Sequence, residues 1–259
     1  MRKNKPLKKP LILIVNDDGI SAPGISALIE AAAPFGQIVV VAPDKPQSGM
    51  GHAVTLNTAI RVNSWEKEGI RYHSCSGTPV DCVKMGVSKL LPKKPDLILS
   101  GINHGANSSI NVIYSGTMSA AIEGAMEGIP SIGFSLCNHS IEANFESSKV
   151  IVSQILKKMF ANSPQPLCLN VNIPDIPYEL IQGIKVCRQA NGCWEEDFDE
   201  RTDPSGKKYY WLTGKFVTED TSNDTDEWAL KNNYVSVVPI QFDFTNYNII
   251  NKLIHFEND

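Results

Sequence analysis

Leu11, Ile12, Leu13, Ile14 and Val15 form an unbroken apolar run that stops at Asn16-Asp17-Asp18-Gly19. A strand with no polar alternation must be covered on both faces, which is the situation of a parallel sheet sandwiched between helices. Residues 21–34 follow, with Pro23 near a helix start and small and apolar residues beyond it. Residues 37–42 are a second buried strand. The unit predicts a right-handed strand–helix–strand crossover, and that places Asn16 to Gly19 at the carboxyl edge of the sheet, where open α/β sheets bind their ligands.

The same alternation continues. Residues 43–52 are a loop rich in Pro, Gly and Ser. Residues 55–62 and 70–76 are expected as a hairpin or two edge strands. Thr78-Pro79-Val80-Asp81 has capping-box spacing with Pro at the first helical position, opening a helix toward Leu91. Strands are expected at 95–100, 130–135 and 167–173, and helices at 116–126 and 147–160, with a long polar loop over 101–115. The pattern predicts an α/β fold with an open, mostly parallel sheet. From Gly192 to Asn233 the composition turns acidic, aromatic and rich in Gly and Asn, without helical period. This stretch is expected to be a loose insertion or an arm that packs on another subunit. Residues 1–10 are expected to be a basic flexible leader, and 11–259 a single domain.

A net charge of -4 gives no pull toward polymeric nucleic acid or anionic membrane. The six cysteines form no Cys-x-x-Cys pair, which argues against a zinc knuckle and suits free thiols in a reducing cytosol. The apolar run after the basic leader is too short for a signal peptide, and no stretch is long enough to span a membrane. A cytoplasmic protein acting on a small ligand is expected.

Three strand ends converge if the sheet is parallel: Asn16-Asp17-Asp18, the loop carrying Gln47-Ser48-Gly49, and Asn103-His104. Adjacent unpaired carboxylates behind a buried strand repel and are costly to desolvate. A hard divalent cation, Mg²⁺ or Mn²⁺, removes that cost, and Ser48 and Asn103 offer two more oxygens. A plain Asp-Gly turn accounts for the same residues. Ser115-Gly116-Thr117 opens the helix at 116 with hydroxyls and free N–H groups, either as a phosphate cradle or as an ordinary N-cap. No dinucleotide fingerprint, phosphate-binding P-loop or Gly-x-Ser-x-Gly elbow occurs.

In order along the chain, Val15-Asn16-Asp17-Asp18-Gly19, Ala42-Pro43-Asp44 with Gln47-Ser48-Gly49, Ser76-Gly77-Thr78-Pro79-Val80-Asp81-Cys82, Ser100-Gly101-Ile102-Asn103-His104-Gly105 and Tyr114-Ser115-Gly116-Thr117 resemble the motifs of the SurE (survival protein E) family of metal-dependent 5′-nucleotidases. The resemblance runs on through Tyr210-Trp211-Leu212-Thr213-Gly214 and Tyr234-Val235-Ser236. It implies a Rossmann-like three-layer α/β/α core and one divalent cation held by Asp17, Asp18, Ser48 and Asn103. It implies a nucleoside 5′-monophosphate substrate. A mechanism built on that site is expected to place the phosphate on Asn16, Ser115, Gly116 and Thr117, with Asp17, Asp18 and His104 in catalysis. It also implies a homodimer or homotetramer with a C-terminal arm exchanged between subunits. Two departures touch substrate preference: Gln47 stands where many relatives are expected to be basic, and His104 fills a variable position. A broader phosphatase with 3′-nucleotidase or exopolyphosphatase activity, and a non-catalytic nucleotide sensor, remain open as alternatives.

Overall fold

The first strand, β1 (Leu11–Val15), is buried at every position. Its side chains divide by parity, as a strand's must. Ile12 and Ile14 join a core with residues of α1 (Pro23–Ala32) such as Ile25 and Leu28. Leu11, Leu13 and Val15 join a second core with Cys82, Val83 and Ala120 on the other face. The sheet is therefore the middle of three layers. The computed structural model describes residues 9–161 and 167–256. The basic leader expected at 1–10 lies outside the described residues except for Lys9 and Pro10.

Around β1 the chain adds β2 (Gln37–Pro43), β3 (Val62–Lys67), β4 (Ile70–Cys75), α2 (Pro79–Met85), β5 (Leu97–His104), α3 (Gly116–Met126), β6 (Ser131–Leu136), α4 (Glu146–Ala161) and β7 (Cys168–Ile173). There follow β8 (Gly183–Val186), β9 (Gly192–Thr202), β10 (Lys208–Thr218), α5 (Asp226–Lys231) and β11 (Tyr234–Pro239). The large sheet runs β3-β4-β2-β1-β5-β6-β7-β11-β8. From β4 to β7 all neighbours are parallel, while β3 and β11 enter antiparallel. The chain leaves β1 for β2 on one side and later returns to β5 on the other, so the carboxyl end of β1 is the switch point of the sheet. Helices α1 and α4 cover one face, α2 and α3 the other.

Several boundaries differ from expectation, each for a local reason. Residues 55–61 are not a strand, because Thr55 is bound to the α2 cap: its N–H and hydroxyl both donate to Asp81. The hairpin begins at Val62 instead. Glu68 and Gly69 both have positive φ (54° and 75°), as a type I′ turn needs, and Trp65 stacks on Tyr72 at 5.6 Å. The capping box of Thr78 and Asp81 forms as expected, but α2 passes into a π-turn over Gly86–Leu90. Strand β5 runs past Ser100 to His104, with a shift in its pairing to β6 between Ser100 and Asn103. Such a bulge re-aims the side chains that follow it. Gly24 lets α1 press on this bend, since a Cβ there would lie 2.0 Å from the carbonyl oxygen of Ile102.

The stretch 192–233 is more ordered than its composition suggests, and it divides. β9 and β10 pair over eleven residues each as a ribbon separate from the main sheet. α5 packs on β11 in the body. Of the six cysteines, all free, Cys75, Cys82, Cys168 and Cys187 are buried, and burial pushes the Cys168 thiol up to about 12. Among the described residues no helix is long and apolar enough to cross a membrane.

Candidate functional site

At the carboxyl end of β1 the chain turns through Asn16-Asp17-Asp18, and three other segments reach this point. Gln47 donates its backbone N–H to the Asp17 carbonyl at 2.8 Å, tying the loop after β2 to the turn. The His104 backbone N–H, at the end of β5, donates to an Asp18 carboxylate oxygen at 3.3 Å. The Thr117 hydroxyl, in the first turn of α3, donates to Asp17 Oδ1. The convergence expected from strand order is therefore present.

Asp17 is 4% exposed. Burial is the main cause that pushes its carboxyl up to about 6; the Thr117 hydrogen bond pulls it down and the neighbouring Asp18 charge adds to the rise. Asp18 is half-buried, and burial raises its carboxyl too, against the His104 N–H and ring. Two desolvated carboxylates in sequence are an unneutralised charge. Asn16 adds to this: its Nδ2 donates to the Gly19 carbonyl, but among the described residues its buried Oδ1 has no partner. Asn103 commits its amide nitrogen to the carbonyls of His104 and Gly105, which leaves its Oδ1 as an acceptor.

Helix α3 begins hard against Asp17. A Cβ on Gly116 would lie 2.7 Å from the Asp17 Cβ and 2.9 Å from its Oδ2, so only glycine allows this approach. Ser115 is the N-cap, its Oγ accepting from the Met118 N–H at 3.0 Å. The positive end of the helix faces the carboxylates. On the same helix Glu123 is nearly fully buried, bound by Lys84 at 2.5 Å and by His52 at 3.0 Å. His52 closes the loop that carries Ser48, so α3 anchors that loop as well. The His52 hydrogen bond, then Lys84, hold the Glu123 carboxyl below its usual range.

A cavity of about 490 Å³ opens over this cluster. Asp17, Ser48, Asn103, His104 and Ser115 line it. Asn16, Asp18, Gly116 and Thr117 do not; Asn16 and Thr117 are buried, and the Thr117 hydroxyl is spent on Asp17. His104 is fixed with Nδ1 donating to the Ser140 carbonyl at 2.8 Å and its ring edge-on to Phe145, which leaves Nε2 free. Among the described residues no three His, Cys, Asp or Glu side chains come together as a metal cluster. The grouping at β1 has two carboxylates supplemented by amide and hydroxyl oxygens, which is the donor set of a hard cation that keeps several waters. The buried orphan oxygen of Asn16 and the desolvated Asp17 both fit a nearby positive charge.

Part of the cavity wall has no counterpart in the sequence expectations. Trp194 from β9 and Phe216 from β10 meet edge-to-face at 6.2 Å, with the Trp194 indole N–H donating to Asn111 Oδ1. Glu227, in the first turn of α5, accepts from the Ser108 hydroxyl at 2.5 Å. The aromatic content of the ribbon and the Thr225 cap of α5 were readable as local features. Their arrival beside Asp17 depends on long-range packing that no local pattern encodes.

The Survival protein SurE family model matches residues 12–196. The 5′-nucleotidase SurE of Flavobacterium psychrophilum is 55% identical over 254 residues, spanning 97% of this chain and 99% of its own length. That of Christiangramia forsetii is 56% identical over 250 residues, spanning 95% and 96%. The crystal structure of the Sure protein from Aquifex aeolicus superposes with a TM-score of 0.84 at 41% identity, covering 96% of this chain and all of that one. With the motifs, the switch-point site and the whole-length likeness agreeing, the chain belongs to the SurE family.

Proposed function

We propose that this protein is a 5′-nucleotidase: a metal-dependent phosphomonoesterase that converts nucleoside 5′-monophosphates to nucleoside and phosphate. The observation that carries the reading is the buried, unneutralised Asp17 beside Asp18, pressed against the start of α3 on the floor of a nucleotide-sized cavity. The names of the Flavobacterium psychrophilum and Christiangramia forsetii relatives support the substrate class.

Asp17, Asp18, Ser48 and Asn103 would hold one divalent cation, Mg²⁺ or Mn²⁺, which when bound polarises the phosphoryl group and acidifies a water. Ser115 and the free N–H groups at the start of α3 receive the phosphate oxygens. Thr117 holds Asp17 in its rotamer, and Asn16 fixes the turn through Gly19. Asp18 orients the attacking water. His104, with Nδ1 pinned on Ser140, presents Nε2 to protonate the leaving 5′-oxygen. Phosphate release from a panel of 5′-mononucleotides, 3′-mononucleotides and polyphosphate, with and without Mn²⁺ or Mg²⁺, tests the assignment. Metal-dependent release fastest on the 5′ series is expected. Release from polyphosphate alone would overturn it.

The chain is also proposed to work as a homodimer or homotetramer. The ribbon of β9 and β10 exposes Phe198, Tyr210, Trp211 and Leu212, each more than half accessible, far more apolar surface than an isolated two-stranded ribbon tolerates in water. Sedimentation should give a multiple of 28.4 kDa; a monomer alone would remove the proposal.

A further inference from the structure

Glu227 is a carboxylate on the cavity wall without a cationic partner: among the described residues no ion pair involves it. One of its oxygens accepts from Ser108, and among the described residues no donor reaches the other. Burial raises its carboxyl, helped by the adjacent charge of Asp226. Such a group asks for an uncharged donor. Ser108 also lines the cavity, and having donated its proton to Glu227 it keeps lone pairs to accept with. The free Glu227 oxygen and the Ser108 oxygen are thus two adjacent acceptors, the complement of two adjacent hydroxyls.

A nucleoside monophosphate carries one vicinal pair of hydroxyls, on C2′ and C3′ of ribose. The Trp194–Phe216 pair on the same wall supplies an apolar surface for the base. A base amine has two N–H donors of its own, but with the base against the Trp194–Phe216 pair these two acceptors are left to the ribose. A second phosphate on the ribose would be repelled by the carboxylate. Resting on the 5′-nucleotidase reading above, we infer that Glu227, with Ser108, reads the ribose diol and makes the enzyme selective for ribonucleoside over 2′-deoxyribonucleoside 5′-monophosphates.

The test compares kcat/KM for AMP and dAMP in wild type and Glu227→Gln, with calorimetric binding of adenosine and 2′-deoxyadenosine alongside. Gln keeps a carbonyl for Ser108, so the strap between the loop and α5 survives while the charge is lost. A hydrogen bond to a charged acceptor implies a preference for AMP of roughly ten-fold or more in the wild type, shrinking to within about two-fold in Glu227→Gln. The adenosine preference should shrink in parallel. If the Gln variant does not fold, Glu227→Asp, which retains charge but draws it back, should show a preference between the two. A wild-type ratio near one, or a large ratio that Gln leaves intact, overturns the inference while leaving the 5′-nucleotidase reading in place. Equal loss on both substrates, with the ratio unchanged, would make Glu227 a structural strap only. No release from any 5′-mononucleotide with either metal would overturn both.

Discussion

Asp17→Asn is expected to abolish metal-dependent phosphate release, by ~10³-fold or more, while leaving the metal-free protein as stable as wild type or more so. The two halves follow from one fact. Asp17 carries a charge the fold has desolvated to 4% exposure without a cation to meet it. In the mechanism proposed above that charge is needed: the metal it would hold supplies several kcal/mol of transition-state stabilisation, and ~1.4 kcal/mol is a factor of ten in rate. In the metal-free fold the same charge is a cost. Asparagine keeps the shape and can still accept from Thr117, so it removes the cost without opening a cavity.

The pH dependence has the matching sign. The folded carboxyl titrates at about 6 and the ordinary value is 3.8. Between those limits the unfolded chain has released a proton that the folded chain still holds. Stability of the metal-free protein therefore falls as pH rises from about 4 to about 6, and levels off above it. A shift of this size corresponds to about 3 kcal/mol from this one group. In Asp17→Asn that part of the slope should be gone. Chemical denaturation of metal-free wild type and variant across this range checks it. A wild type that gains stability over the same interval, with the variant doing likewise, would show that Asp17 is not the desolvated group described here.

Gly116→Ala should be the most damaging single-carbon change at the site. Helix propensity favours alanine over glycine by roughly 1 kcal/mol in a helix interior, and Gly116 does not have a positive φ that would forbid a side chain. Space decides the sign instead. The new Cβ would stand 2.7 Å from the Asp17 Cβ, and Asp17 is walled in by Thr117 and by the loop that Gln47 ties down. Either α3 backs away or Asp17 turns. Overpacking of this kind costs about 1–3 kcal/mol, and a displacement of about 1 Å at a reacting group costs on the order of 10²-fold in rate. The variant should fold, bind Mn²⁺ more weakly and lose kcat more than it gains KM. An unchanged rate would separate the start of α3 from the chemistry.

The parts of this molecule that were legible in the sequence are those set by local chemistry. A strand with no polar residue must be buried on both sides, so Leu11–Val15 announced a covered parallel sheet, and Asn16-Asp17-Asp18 at its end announced the edge where ligands sit. Thr78 and Asp81 spelled a capping box, and it is there. Where the fold departs from the local pattern, a distant partner intervenes. Residues 55–61 have strand-like composition but are captured by Asp81. Residues 192–218 read as loose because a strand whose faces are both largely exposed has no hydrophobic alternation to display. Glu227 and Trp194 stand some 180 to 210 residues from Asp17 in the chain, and only the packing of the ribbon and α5 over the loop at 105–111 brings them to the same cavity. Thr117 offers a hydroxyl at the start of a helix, and which neighbour it binds, Asp17, is set by a contact 100 residues away in the chain.

The proposed chemistry depends on a divalent cation between the ends of β1 and β5. Crystals grown with Mn²⁺ and measured for its anomalous scattering would place the ion directly. One strong peak is expected within bonding distance of Asp17, Asp18 and Asn103, lost in Asp17→Asn crystals. A peak elsewhere in an active enzyme, or full activity in crystals and solution stripped of every metal, would contradict it.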